Sequence, residues 1–266
     1  MLVHPQPDPV AIAFGPLQVH WYGLMYLIGF VAAWWLGRQR VKQAWRNWTA
    51  EQVDDLIFYA ALGVILGGRI GYTLFYNFDS FVENPLWIFK LWVGGMSFHG
   101  GFLGVMVAVL LFCRKHKKAY WDVVDFTAPL VPAGLFAGRI GNFINGELPG
   151  RAADASLPWA MQWPQVDFLV HPSPLYQAFS EGIVLFLIVW FFSQRPRPRY
   201  AVSGVFALGY GTFRFGTEFF REPDVQLGYI AFDWLTMGQL LSIPLIIVGV
   251  FLLLLAYRKR IMPAGK

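Results

Sequence analysis

A single cysteine, Cys113, stands in a chain of 266 residues. That excludes an intramolecular disulfide and any zinc site built from several thiolates. Its place at the end of an apolar run, just before Arg114, gives it the character of a small buried hydrophobe. Charge is also scarce: Asp, Glu, Lys and Arg make up 14% of the chain, against about 25% in an ordinary globular protein. Disorder, a coiled coil and a soluble enzyme are excluded on that ground. Residues 1–16 lack a basic start followed by an apolar stretch, so no cleaved signal peptide is expected and the first apolar segment should act as its own insertion signal. There is no phosphate-cradling loop with a Walker lysine, no zinc-protease helix motif and no nucleophile elbow.

What the chain has instead is apolar and aromatic. Hydrophobic residues reach 56%, with 25 Phe, 12 Trp and 11 Tyr beside 27 Gly and 17 Pro, the mixture of membrane helices with interfacial aromatics and close helix contacts. By the rule that about 20 apolar residues cross a bilayer core, seven segments are expected near 17–37, 53–75, 97–113, 122–141, 174–193, 202–220 and 236–257. The net charge of +5 does not mark a nucleic-acid face, because the basic residues punctuate the apolar runs.

Fifteen of the 21 Lys and Arg follow segments 1, 3 and 5 or end the chain, Lys266 included; Lys90, Arg151 and Arg221 fall on the opposite side. That bias predicts a seven-helix, all-α polytopic membrane protein with its N-terminus outside and its C-terminus in the cytoplasm. One catalytic domain would then cover 1–266. Residues 77–96, with Trp87, Lys90 and Trp92, read as an interfacial arm, and 142–172 as a small external cap.

Three arginines fall inside the predicted spans: Arg69, Arg139 and Arg214. Gly67-Gly68-Arg69-Ile70-Gly71-Tyr72 echoes Ala137-Gly138-Arg139-Ile140-Gly141-Asn142, and Arg214 sits in Gly211-Thr212-Phe213-Arg214-Phe215-Gly216. An arginine at mid-bilayer costs at least ~2.5–3.5 kcal/mol, so three at similar depth call for partners, water or function. Guanidinium matches phosphate oxygens in a bidentate way, which makes an outer-leaflet lipid phosphate the first ligand to consider. Glu218, four residues after Arg214 and three before Arg221, can orient Arg214; Arg221 and Glu222 read as a structural ion-pair ladder. His99, in Ser97-Phe98-His99-Gly100-Gly101, is a candidate for proton transfer. Tyr22 could hold a phosphate or glycerol oxygen. The richest segment runs from Gly138 to Arg151, with Arg139, Asn142, Asn145, Glu147 and Gly150 at a span exit, where irregular backbone must be buried in protein or line a cavity.

Gly138–Arg151 (GRIGNFINGELPGR), His99-Gly100-Gly101, the HWYGLMY run from His20 and the Gly209–Arg214 segment together resemble the bacterial prolipoprotein diacylglyceryl transferase family. The resemblance spans nearly the whole chain. It implies a seven-span inner-membrane enzyme, without metal or other cofactor, whose partners are phosphatidylglycerol and the lipobox cysteine of a prolipoprotein signal peptide. It would move the diacylglyceryl group onto that thiol, forming a thioether and releasing glycerol 1-phosphate. Carried over, Arg139 and Arg214 match the phosphate-handling arginines, and Tyr22, His99, Asn142, Glu147, Gly150 and Tyr210 match other functional positions. His99 is the candidate base, Arg69 and Glu218 are candidate substrate-binding residues, and Tyr22, Asn142 and Glu147 position lipid or arginine. One departure stands out: His171–Gln177 reads HPSPLYQ where the family often has HPSQLYE. An anion or lipid transporter and a non-catalytic lipid-binding protein would also carry intramembrane arginines. The transporter predicts access from both faces, although the inner halves of the spans carry few polar groups, and the binder predicts binding without turnover.

Overall fold

The computed structural model describes residues 2–262 apart from 16, 91–92, 165 and 224–226; Trp92 and Lys266 lie outside the described residues. Along the chain run the strands β1 (Leu2–Val3), β2 (Val10–Phe14) and β3 (Leu17–His20), then α1 (Trp21–Val41), α2 (Ala50–Tyr76), α3 (Phe78–Glu83), α4 (Phe98–His116), α5 (Tyr120–Thr127) and α6 (Val131–Ile144). Strands β4 (Met161–Gln162) and β5 (Leu169–Val170) follow, then α7 (Ser173–Gln177), a π-helical turn (Ala178–Val184), α8 (Leu185–Phe192), α9 (Ala201–Thr217) and α10 (Met237–Lys259). The protein is mostly helical, but not purely α. The alternating VAIAF and LQVH segments pair antiparallel as β2 and β3 around Gly15, which has φ +59°, so residues 17–20 belong to a hairpin instead of the first helix.

Local chemistry sets the helix ends. Thr49 caps α2, accepting from the Gln52 N–H at 3.2 Å while the Gln52 side chain accepts from the Thr49 N–H at 3.1 Å. Thr236 and Gln239 repeat this capping box at α10, and Ser97 caps α4. Arg114, Lys115 and His116 close α4, and Arg258 and Lys259 close α10, where cations suit the negative end of the helix dipole.

Among the described residues, four helical segments are long and apolar enough to cross a membrane: Ala50–Tyr76, Phe98–His116, Ser173–Phe192 and Met237–Lys259. A fifth forms if α5 and α6, bent by 50° at their junction, count as one span. Pro132, which has no N–H to continue a hydrogen-bonded helix, sits at that break in the first turn of α6. The two other expected segments are helical as well. Trp, Tyr, Gly and two closing arginines dilute the hydropathy of α1, and α9 has 17 residues.

The chain forms two compact units, residues 1–36 with 124–265 and residues 37–123, whose boundaries cut α1 and α5. In the larger unit α9 packs along α10, and α6 against α7 and the π turn. Ala128, Leu185, Val189 and Val202 form its core beside Phe206, Tyr210 and Phe213. A second cluster, Met161, Trp163 and Val170 with Phe143, fills the 142–172 segment. Ile247, Phe251 and Leu254 of α10 face outward at 60% exposure or more, a surface suited to hydrocarbon. In the smaller unit α2 and α4 meet at glycines: a Cβ on Gly71 would lie 2.7 Å from the Gly100 Cα, and one on Gly63 at the same distance from the Gly104 carbonyl oxygen.

Candidate active site

Within the larger unit, Arg139 points from α6 at the π turn. Its Nη2 lies 3.2 Å and its Nε 3.4 Å from the Glu181 Oε2, and Glu181 is fully buried. The other oxygen of Glu181 accepts from the Thr217 hydroxyl at 3.4 Å. Tyr210, on α9, lies within electrostatic reach of Glu181, Arg139 and Arg214. A π turn lets a buried group leave the α register, and such turns concentrate at functional sites. A second cluster lies at the end of α9. Arg214 Nη2 is 2.9 Å from Glu218 Oε2, and Glu218 Oε1 receives Arg221 Nη1 at 3.0 Å and the Thr236 hydroxyl at 3.1 Å. Arg214 Nη1 is buried with no hydrogen-bond partner among the described residues, so Glu218 orients this guanidinium and leaves a donor unmatched.

The exit of α6 carries the third part. Asn142 Nδ2 and Asn145 Nδ2 hold the two Glu147 oxygens at 2.8 and 3.0 Å. The turn passes through Gly146 at φ +66° and is fixed from outside by Trp163 Nε1 on the Gly146 carbonyl at 2.8 Å and by the His4 ring on the Phe143 carbonyl at 2.6 Å. Tyr22, beside Tyr26 on α1, lies within electrostatic reach of Glu147 and Arg139. Tyr22, Arg139, Asn142, Glu147, Tyr210, Arg214 and Glu218 therefore share one unit.

Other expected residues have different surroundings. Gly150 is a backbone position: a Cβ there would come 2.6 Å from the Phe220 carbonyl oxygen. Its neighbour Arg151 donates to the carbonyls of Arg221 at 3.0 Å and Glu218 at 3.3 Å, clamping the 142–172 segment to the end of α9. Arg69, in the smaller unit, is buried, and its five N–H groups meet the carbonyls of Trp87, Ile88, Lys90, Gly94 and Gly95. Its guanidinium also stacks 4.0 Å over the Trp87 ring. With every donor engaged by backbone, Arg69 anchors residues 87–90 and 94–95; this geometry does not make it a phosphate ligand. His99 is exposed at the start of α4, edge-on to Phe98, also in the smaller unit.

Sequence reasoning missed Glu181 and Thr217. The signal was present, since a lone carboxylate inside the apolar 174–193 segment needs a partner as much as an arginine does.

Apolar helices carrying two clusters in which a buried carboxylate holds a half-buried guanidinium define a helical membrane protein with a polar interior suited to an anion. Residues 9–255 match the family model described as prolipoprotein diacylglyceryl transferase. A phosphatidylglycerol–prolipoprotein diacylglyceryl transferase of Acinetobacter baumannii is 56% identical over 268 residues, covering 100% of this chain and 98% of the relative. One so named from Coxiella burnetii is 58% identical over 261 residues, with 98% and 99% covered. One from Acinetobacter baylyi is 53% identical over 268 residues, with 100% and 98% covered. The chain belongs to the prolipoprotein diacylglyceryl transferase family, and it is a transferase.

Proposed function

We propose that the protein transfers the sn-1,2-diacylglyceryl group of phosphatidylglycerol to the lipobox cysteine of a prolipoprotein signal peptide, the first step of lipoprotein maturation. In this reading one catalytic domain spans the bacterial cytoplasmic membrane seven times, N-terminus outside. The active site opens to the outer leaflet, 77–96 lies in the interface as an arm, and 142–172 forms the external cap. The observation that carries the proposal is the pair of oriented guanidiniums, Arg139 on Glu181 and Arg214 on Glu218, the latter with a buried donor that has no partner among the described residues.

The cysteine thiol gives its proton to His99, and the sulfur attacks the diacylglyceryl carbon that bears the phosphate ester. A carbon–sulfur bond forms as the carbon–oxygen bond breaks, and the electron pair leaves on the phosphate as glycerol 1-phosphate. Arg139 and Arg214 stabilise the charge that grows on that phosphate. Tyr22, Asn142, Glu147 and Tyr210 position lipid or guanidinium, Gly150 shapes the loop, and Arg69 enters only as the anchor of the arm. A lipobox thiol with a pKa near 8.5 already carries some thiolate at neutral pH, so His99 is tested separately: nearly full turnover by His99→Gln at neutral pH overturns its role as base.

The deciding assay is glycerol phosphate release from phosphatidylglycerol by the purified protein in detergent, with a lipobox peptide or its Cys→Ser counterpart. Release that needs the cysteine and vanishes in Arg139→Ala is expected. A folded protein that binds the lipid and releases nothing refutes the transferase reading.

A further inference from the structure

Ser173, Gln177 and Glu181 follow at four-residue intervals along α7 and the π turn, which stacks them on one helix face. All three are completely buried. The outer two are matched: the Ser173 hydroxyl donates to the Leu148 carbonyl at 2.9 Å, and Glu181 receives Arg139 and Thr217. Gln177, between them, has no hydrogen-bond partner for Oε1 or Nε2 among the described residues. The face that carries it therefore runs from the carbonyl beside Glu147 to the carboxylate that holds Arg139.

A primary amide has two N–H donors and an acceptor oxygen, and leaving them unpaired in the interior is costly, whereas methionine or leucine would fill similar space without that cost. An amide kept there answers to a polar group that enters the site. The guanidiniums already supply the charge for a phosphate, and glutamine adds none. It offers donor and acceptor side by side, the complement of a hydroxyl. In the phospholipid donor, hydroxyls belong to the head-group glycerol, directly bonded to the phosphate; the acyl esters only accept.

We infer that the Gln177 amide takes a hydroxyl of the head-group glycerol beside the Arg139–Glu181 pair. It thereby holds the head group equally in the ground and transition states and selects a polyol phospholipid over one of equal charge without hydroxyls. This rests on the proposed transfer reaction.

The test compares phosphatidylglycerol with phosphatidylethanol, a phosphodiester lipid of the same charge lacking head-group hydroxyls, on the full-length protein in detergent. Binding is read from lipid-dependent thermal shifts, and KM and kcat from peptide lipidation. Wild type should bind phosphatidylglycerol about three- to tenfold more tightly, the range of one neutral hydrogen bond. Gln177→Met should lose that preference through KM with little change in kcat, leaving phosphatidylethanol binding as it was; Gln177→Leu serves if the methionine variant does not fold. Wild type binding both lipids equally overturns the inference without any variant. Equal weakening of both lipids in the variant also overturns it, as packing, and an unchanged preference overturns it by giving the amide to buried water. Head-group discrimination that depends on Gln177 but yields no thioether supports the subsite and refutes the transferase reading instead.

Discussion

Replacing Glu181 with leucine isolates the charge on Arg139. The carboxylate is fully buried and holds Arg139 through contacts of 3.2 and 3.4 Å. Removing one partner of a buried pair costs about 3–5 kcal/mol, because the remaining ion loses its compensation. Glu181→Leu should therefore unfold at markedly lower denaturant in detergent micelles. Arg139→Leu with Glu181→Leu removes both charges and should recover part of that loss, giving a coupling of about 1–3 kcal/mol in a double-mutant cycle. Activity should move differently. Loss of guanidinium orientation should lower glycerol phosphate release by roughly 100-fold in Glu181→Leu, and the stabilised double variant should stay inactive because the phosphate has lost Arg139. Additive stabilities within about 0.5 kcal/mol, or a double variant that regains turnover, would refute the reasoning.

Arg69→Ala removes the donors to five carbonyls and the stack on Trp87. Faster hydrogen exchange and proteolysis in 85–95 are expected, and Arg69→Lys should not restore protection, since an ammonium has three donors and no planar fork. Gly150→Ala forces a Cβ against the Phe220 carbonyl and should destabilise the 142–172 segment by about 1–3 kcal/mol, read as earlier cleavage there. Burial pushes the His171 imidazole below its ordinary pKa. Its neutral form is thus favoured in the folded protein, and its contribution is complete above the unfolded pKa of about 6.5 and falls as pH drops through the lower folded value. Thermal unfolding between pH 8 and 5 should show that loss in wild type and a smaller one in His171→Gln; identical slopes would remove His171 as the source.

Hydrophobic run length located seven helical segments within a few residues, because apolar length is a property of contiguous sequence. It did not show that residues 17–20 pair with 10–14 as a hairpin, that Pro132 breaks the fourth segment, or that the fifth contains a π turn. Glycine content implied close helix contacts, but not that α2 and α4 would make them at Gly67 and Gly71. It did not distinguish Gly138 and Gly216, where a Cβ would meet nothing within 4 Å. The intramembrane arginines were legible as problems in need of partners, but their partners were only partly so. Glu218 is four residues from Arg214 and readable on one helix, whereas Glu181 reaches Arg139 across 42 positions. Every hydrogen bond of Arg69 goes to a backbone carbonyl, which no side-chain pattern encodes.

The π turn at Ala178–Val184 also governs how far one stripe can travel along a helix. Ser173, Gln177, Glu181, Leu185 and Val189 repeat every four residues, and each is completely inaccessible. On an uninterrupted α-helix of 3.6 residues per turn, such a repeat drifts by about 40° at each step, or about 160° over the four steps, carrying the last residue to nearly the opposite side. Winding more residues into the middle turn cancels much of that rotation, so polar and apolar members keep facing the same neighbours from end to end. Deleting any one residue between 178 and 184 would restore tighter winding and swing Ser173 and Gln177 out of line with Leu185 and Val189. The length of this helix is thus under a constraint of phase as well as of membrane thickness.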